Sequence, residues 1–323
     1  MTDPVTPPSL SPEEEIRTSQ APPRRAALST PRTWGEQIFE GPGGVRVVWR
    51  VLLYLATGAA VTSLLFWFGG SLFPGQAQGT ARLWQAVYGE LALLLGAIVP
   101  AFLMASIEGR RVDDYGLPRN QAFGQCFWAG AGWGLAAITI LLLVLRGAHV
   151  FYFGHVVLRG GRVLKFAVFW MVFFLLVALF EDFLTRGYLL FTLKQDLGFW
   201  PAAGLLSCAF GAIHLRNPGE TPVGILTAAA IGLFFCLTLR RTGSLWFAVG
   251  FHAAWDWGQS YLWGVADSGS TVPGHLFEPS ALDRPAWLTG GSVGPEGSLL
   301  CLVLIPALWI LFARRYPMVK SDR

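Results

Sequence analysis

The sequence predicts an all-α protein, a polytopic transmembrane helical bundle of about eight spans. Three observations predict it. Hydrophobic residues fill 53% of the 323 positions and charged residues only 14%, against about 25% charged in soluble domains. Mean hydropathy is +0.49. The apolar residues are also gathered into runs close to the roughly 20 residues that a helix needs to cross a bilayer.

Residues 1–45 are rich in Pro, Ser, Thr and charge, lack the apolar stretch of a signal peptide, and end in Gly41-Pro42-Gly43-Gly44. They read as a disordered cytoplasmic tail. The membrane domain follows, over 46–316, and 317–323 form a short C-terminal tail. The first apolar run, about 47–70, begins beside Arg46 and Arg50. The second, about 83–106, carries Glu90, which reads as an interfacial residue because the run after it suffices to span. The third covers about 124–145. The fourth, about 164–193, is longer than one span requires and is expected to tilt or to project beyond the bilayer. The fifth and sixth cover about 199–216 and 222–239, the seventh about 244–264. The eighth, about 298–313, is short. Trp84, Trp200, Trp246 and Trp263 stand near run ends, where an aromatic belt would put them.

The basic residues act as topology signals. Arg46 and Arg50, then Arg110, Arg111 and Arg119, then Lys194, then Arg240 and Arg241, then Arg314, Arg315 and Lys320 all fall on one side of eight spans. Both termini are therefore expected in the cytoplasm. The loop with Arg146, Arg159, Arg162 and Lys165 is the exception. With a net charge of +4 spread over loops and tails, the expected partner is the lipid bilayer and not nucleic acid. Cys126, Cys208, Cys236 and Cys301 lie inside apolar runs without metal-site spacing, and read as small buried hydrophobes.

Chemistry concentrates in Leu179-Phe180-Glu181-Asp182-Phe183-Leu184-Thr185-Arg186, inside the fourth run. Ionisable groups at membrane depth cost several kcal/mol unless paired or hydrated. Asp182 and Arg186 stand at i,i+4 on one helical face, in the favourable order, and form a structural ion pair. Glu181 points about 100° away and stays outside that pair. Later runs add His214, ending Phe210-Gly211-Ala212-Ile213-His214, and then His252 and Asp256, four apart on one face. Counted at about 1.5 Å per residue from the cytoplasmic helix ends, Glu181 is roughly 18 Å deep, His252 roughly 12 Å and His214 roughly 23 Å, compatible with one cavity between tilted helices.

Glu-acidic-x-x-x-Arg, then Phe-x-x-x-His, then His-x-x-x-Asp, in this order on successive membrane helices, resembles the CPBP family, the CAAX-protease and bacteriocin-processing (Abi) family. The resemblance covers about 164–257 and extends weakly to 288–298. It implies an intramembrane endopeptidase similar to CAAX prenyl endopeptidases, acting on a membrane-associated or lipid-modified peptide or protein. By the same resemblance Glu181 and His214 activate water, and His252 and Asp256 stabilise the oxyanion. The family usually has Glu at the position of Asp182 and Asn at that of Asp256. An ionised Asp256 cannot donate to an oxyanion. It is expected instead to accept from His252, one turn earlier, and hold that ring as the donor.

The expected site needs no cofactor. The rival enzyme reading is a zinc peptidase with Glu181, His214 and His252 as ligands, a number that suits catalytic zinc, although no H-E-x-x-H is present. The rival non-enzymatic reading is a membrane scaffold or a bacteriocin-immunity-type binding protein. Ala-, Gly- and Arg-rich usage points to a bacterial cell membrane, which argues against prenylated substrates. The topology has a direct check. A cysteine introduced within 268–295 is expected to react with an impermeant thiol reagent on intact cells. Reaction only after permeabilisation would reverse the orientation.

Overall fold

The computed structural model describes residues 40–41, 44–73, 75, 79–281 and 284–317. Most of the tail 1–45 and residues 318–323 lie outside them. The chain divides at Arg46. In the first unit a minimal antiparallel ladder pairs β1 (Glu40–Gly41) with β2 (Gly44–Val45). The second unit is helical: α1 (Val47–Leu72), α2 (Thr80–Glu108), α3 (Gln125–Gly147), α4 (Gly161–Arg186), α5 (Tyr188–Leu197), α6 (Phe199–Ile213), α7 (Pro222–Thr242), α8 (Trp246–Asp256), the single turn α9 (Ala286–Thr289) and α10 (Leu299–Arg315).

Every expected apolar run is helical, but not every run is long enough to span. Among the described residues, five helical stretches have the length and apolarity to cross a membrane: α1, α2, α3, α4 with α5, and α7. Helix α6 has 15 residues and α10 has 17. At about 1.5 Å per residue they reach only about 22–26 Å, short of a hydrocarbon core of about 30 Å. The long fourth run is interrupted at Gly187, where a Cβ would strike the Phe183 carbonyl, so α5 leaves in a new direction. The seventh run is α8 followed by a π-helical turn, Trp257–Leu262. Strands are not among the expected elements, yet β3 (Phe151–Val156) and β4 (Phe277–Ala281) pair antiparallel with a bulge between Tyr152 and His155.

That pairing joins the loop after α3 to the loop after α8, two loops that alternating spans put on one side. At the other end, Arg50 Nη2 meets Glu108 Oε1 at 2.7 Å and Arg50 Nη1 donates to Gln195. Arg241 likewise donates to the Tyr316 carbonyl, tying the end of α7 to the end of α10.

Two interior clusters carry the packing. One joins α3, α7, α8 and α10 through Ile138, Leu142, Phe234, Phe247, Phe251 and Phe312. The other joins α1, α2, α5, α6 and α7 around Tyr54, Tyr188 and Leu190. Helix α1 is mostly exposed and apolar, a lipid-facing helix. One of the four expected belt tryptophans, Trp246, is buried and donates to the Pro118 carbonyl, whereas Trp263 is half-buried and stacks on Phe277. Trp84 and Trp200 are exposed. Of the cysteines, Cys236 and Cys301 are buried as expected, but Cys208 is exposed.

The closest helix contact is α3 on α8. Gly130 and Gly134, one turn apart, lie against the carbonyls of Phe247 and Phe251, and Gly250 lies against that of Phe127. A Cβ on either α3 glycine would collide with backbone, which has no rotamer to escape into. Small residues at such spacing let membrane helices touch, and here they fix the height of α8. Gly134→Leu is expected to lower stability by at least about 1–3 kcal/mol, the usual scale of overpacking, read as a drop in melting temperature in detergent. An unchanged melting temperature would show that α8 is not held by this seam.

Candidate active site

Arg186, at the last turn of α4, is one of the largest fully buried side chains. Its Nη1 donates to Asp182 Oδ1 and to Thr185 Oγ1, its Nε donates to the Gly232 carbonyl of α7, and its plane lies over Phe210 at 4.7 Å and Phe235 at 5.2 Å. Its Nη2 has no hydrogen-bond acceptor. The aromatic faces supply negative potential there instead. Gly232 belongs to this arrangement, because a Cβ on it would crowd Nη2. The expected ion pair is thus present, and it is the hub of three helices.

Asp182 has a second contact that i,i+4 spacing could not reveal. Its Oδ2, also buried, faces His252 Nδ1 at 3.6 Å, and neither atom has another polar partner. The opposite nitrogen, His252 Nε2, lies 3.7 Å from Glu181 Oε2 and 3.5 Å from Asp256 Oδ2. Two expected catalytic side chains, Glu181 and Asp256, therefore converge on the imidazole of a third, His252. Asp182, expected only to pair with Arg186, also stands behind it.

His214 caps α6. Its Nδ1–H donates to the Phe210 carbonyl at 2.8 Å, which fixes the ring and leaves Nε2 as an acceptor. It lines the same cavity of about 450 Å³ as Glu181, His252 and Asp256. The four expected residues share one chamber, although His214 makes no direct contact with the other three.

The chamber has acids that the sequence reading passed over. Glu90, expected at the interface, lines it. So do Asp267, in the loop after α8, and Glu296, in the turn before α10. Ser260 Oγ donates to Asp267 Oδ2 at 2.9 Å, and the Ser268 amide donates to Glu296 Oε2 at 3.1 Å. The π-helical turn carries Ser260. Such turns occur often at functional sites. Glu296 lay within the 288–298 stretch that weakly extended the resemblance, so a signal for it existed; Asp267 had none.

The zinc alternative can be tested on these positions. Glu181, His214 and His252 do not bring three ligand atoms together. Among the described residues, the acids and histidines that do so are Asp256, Asp267 and Glu296, with oxygens all within 4.8 Å of one another. An all-carboxylate set suits hard cations rather than zinc at a catalytic centre. The residues expected to bind zinc do not fit it.

Compared with known proteins, residues 163–258 match the family model of Rce1-like type II CAAX prenyl endopeptidases. That segment runs from the start of α4 to the turn after Asp256 and includes Glu181, Asp182, Arg186, His214, His252 and Asp256. No curated protein and no solved structure matches the chain.

Asp182→Asn is expected to cost about 3–5 kcal/mol, the scale for leaving one member of a buried pair uncompensated. The measurement is thermal unfolding in detergent. Asp182→Asn melting within a degree of the wild type would show that Arg186 does not need this partner.

Proposed function

Starting from an integral membrane chain whose residues 163–258 carry an Rce1-like type II CAAX prenyl endopeptidase domain, we propose that it is an intramembrane endopeptidase. Its substrate is a peptide bond of a membrane-associated or lipid-modified peptide or protein. The observation that carries this reading is the convergence of Glu181 and Asp256 on His252 Nε2, at 3.7 and 3.5 Å, in a chamber that His214 also lines. In this reading the protein sits in a bacterial cell membrane with both termini in the cytoplasm.

Glu181 is the general base. Half-buried on the chamber wall, it takes a proton from a water that also donates to His214 Nε2. The water oxygen attacks the peptide carbonyl carbon. The developing oxyanion accepts a hydrogen bond from His252 Nε2–H, while Asp182, facing Nδ1, orients the ring and the charge of Asp256, beside Nε2, holds it as the cation. The tetrahedral intermediate then expels the amine, and the C–N bond breaks as Glu181 returns its proton to the nitrogen. Base and oxyanion donor need to lie within hydrogen-bond reach of one reacting group, and Glu181 Oε2 and His252 Nε2, 3.7 Å apart on the chamber wall, are near enough to serve the water and the carbonyl oxygen of one peptide bond seated against them. No step requires a metal.

Membrane-anchored fluorogenic peptides in proteoliposomes test this reading. Glu181→Gln is expected to abolish cleavage while melting stays near that of the wild type. Asp256→Ala is expected to lose about 10²-fold or more, the usual scale of an oxyanion group, while Asp256→Asn retains part of the activity because its amide can donate. A well-folded Asp256→Ala with near-wild-type cleavage would remove Asp256 from the site. If Glu181→Gln kept the cellular role of the protein, the scaffold reading would replace the enzyme. Activity lost to a chelator and restored by zinc would replace the metal-free mechanism.

A further inference from the structure

The chamber is one-sided in charge. Six acidic side chains line it, from Glu90, Glu181, Glu220, Asp256, Asp267 and Glu296, and among the described residues no Lys or Arg does. Arg186, close behind the wall, is consumed by Asp182, Thr185 and the Gly232 carbonyl. Among the described lining residues the basic group facing these acids is His252, and it is shared between Glu181 and Asp256 on one nitrogen.

The acids are also unevenly spread. Oxygens of Asp256, Asp267 and Glu296 lie within 4.8 Å of one another, on the side of the chamber formed by the end of α8, its following loop and the turn before α10. Asp256 is the telling member. Its side chain is 8% exposed, it faces the chamber, and it accepts no hydrogen bond among the described residues; its one polar contact is the shared His252 nitrogen at 3.5 Å. A carboxylate buried to that degree whose one nearby N–H is shared with a second acid is costly. Three together in a low-dielectric pocket focus a negative potential on the space between them.

We propose that Asp256, Asp267 and Glu296 form a subsite for a Lys or Arg side chain of the substrate, next to the peptide bond held between Glu181 and His252. The proposal rests on the endopeptidase reading and gives its substrate class: membrane-associated peptides with a basic residue beside the scissile bond. A bound cation supplies the donor that Asp256 lacks and further donors to Asp267 and Glu296, which have one each from Ser260 and the Ser268 amide. An ammonium has three donors and a guanidinium five, enough to reach all three carboxylates. The chamber walls nearby are apolar, with Val272, Val293, Ile305 and Leu308 available for the aliphatic stem. The loop acids themselves show the deficit. Burial pushes the Asp267 carboxyl up to about 6, and burial with repulsion from Asp267 pushes Glu296 up to about 8.

The test uses the full chain in proteoliposomes and anchored peptides that differ at one position at a time, carrying Lys, norleucine or Glu. Norleucine keeps the length of the Lys stem without the charge. At the position that meets the subsite, wild type is expected to cleave the Lys peptide with kcat/KM about 10- to 100-fold above the norleucine peptide, the scale of one charge-assisted hydrogen bond, and to reject Glu. Asp267→Asn with Glu296→Gln should shrink that ratio to within about threefold. Equal cleavage of Lys and norleucine peptides at every position by wild type overturns the proposal, and so does a ratio that survives in the folded double variant. Binding to Glu181→Gln, followed by fluorescence anisotropy, separates the subsite from the chemistry. Discrimination in binding with no cleavage by wild type would retain the subsite and defeat the protease. Stoichiometric binding of Ca²⁺, Mn²⁺ or Zn²⁺ that is lost in the double variant and competes with the Lys peptide would make the trio a metal site and overturn the proposal.

Discussion

Arg186 is a guanidinium with almost no solvent contact inside a helical bundle, and the geometry of the site depends on how Asp182 neutralises it. One carboxylate oxygen holds the arginine; the other looks at His252. The same pair anchors α4 to α7 through the Gly232 carbonyl, and sets the lateral position of the imidazole on α8. A buried ion pair is poor at adding stability over an apolar substitute. Its use here is in registry: it ties α4, which carries Glu181, to α7 and to α8, which carries His252.

The second constraint is steric. Gly130 and Gly134 allow α8 to press against α3, so that His252 approaches α4 from a fixed height. Charge sets the lateral position and close packing the vertical one. The chamber is what remains between helices that are held in this way. The short α6 and α10 bring His214 and, through the turn before α10, Glu296 to its edge. Polar chemistry at membrane depth is tolerated where the backbone lines such a cavity instead of lipid.

Much of this was legible in the residues. Run lengths and hydropathy indicated a polytopic helical protein, and i,i+4 spacing predicted the contacts of Asp182 with Arg186 and of His252 with Asp256. Spacing reports only neighbours on one helix, however. It could not show that Asp182 also faces His252, because that contact lies between α4 and α8. Nor could it bring Asp267 and Glu296 together, since they reach the chamber through loops 29 residues apart in the chain. Nor could a count of apolar residues give helix length: α6 and α10 are shorter than the five stretches with the length and apolarity to cross a membrane, yet they keep exposed apolar side chains such as Leu205, Val303 and Leu311. Glu90 was placed by hydropathy at the interface, but the packing of α2 turns it inward.

The central claim is that Glu181 is the base of a hydrolytic chamber that holds a peptide. Substrate capture tests it most directly. Glu181→Gln and wild-type protein are purified from the same native membranes, and bound peptides are identified by mass spectrometry. The account predicts that peptides co-purify with Glu181→Gln and not with wild type, and that wild type, added afterwards, cuts them at one bond. Identical peptides retained by both proteins and left intact by wild type would contradict it.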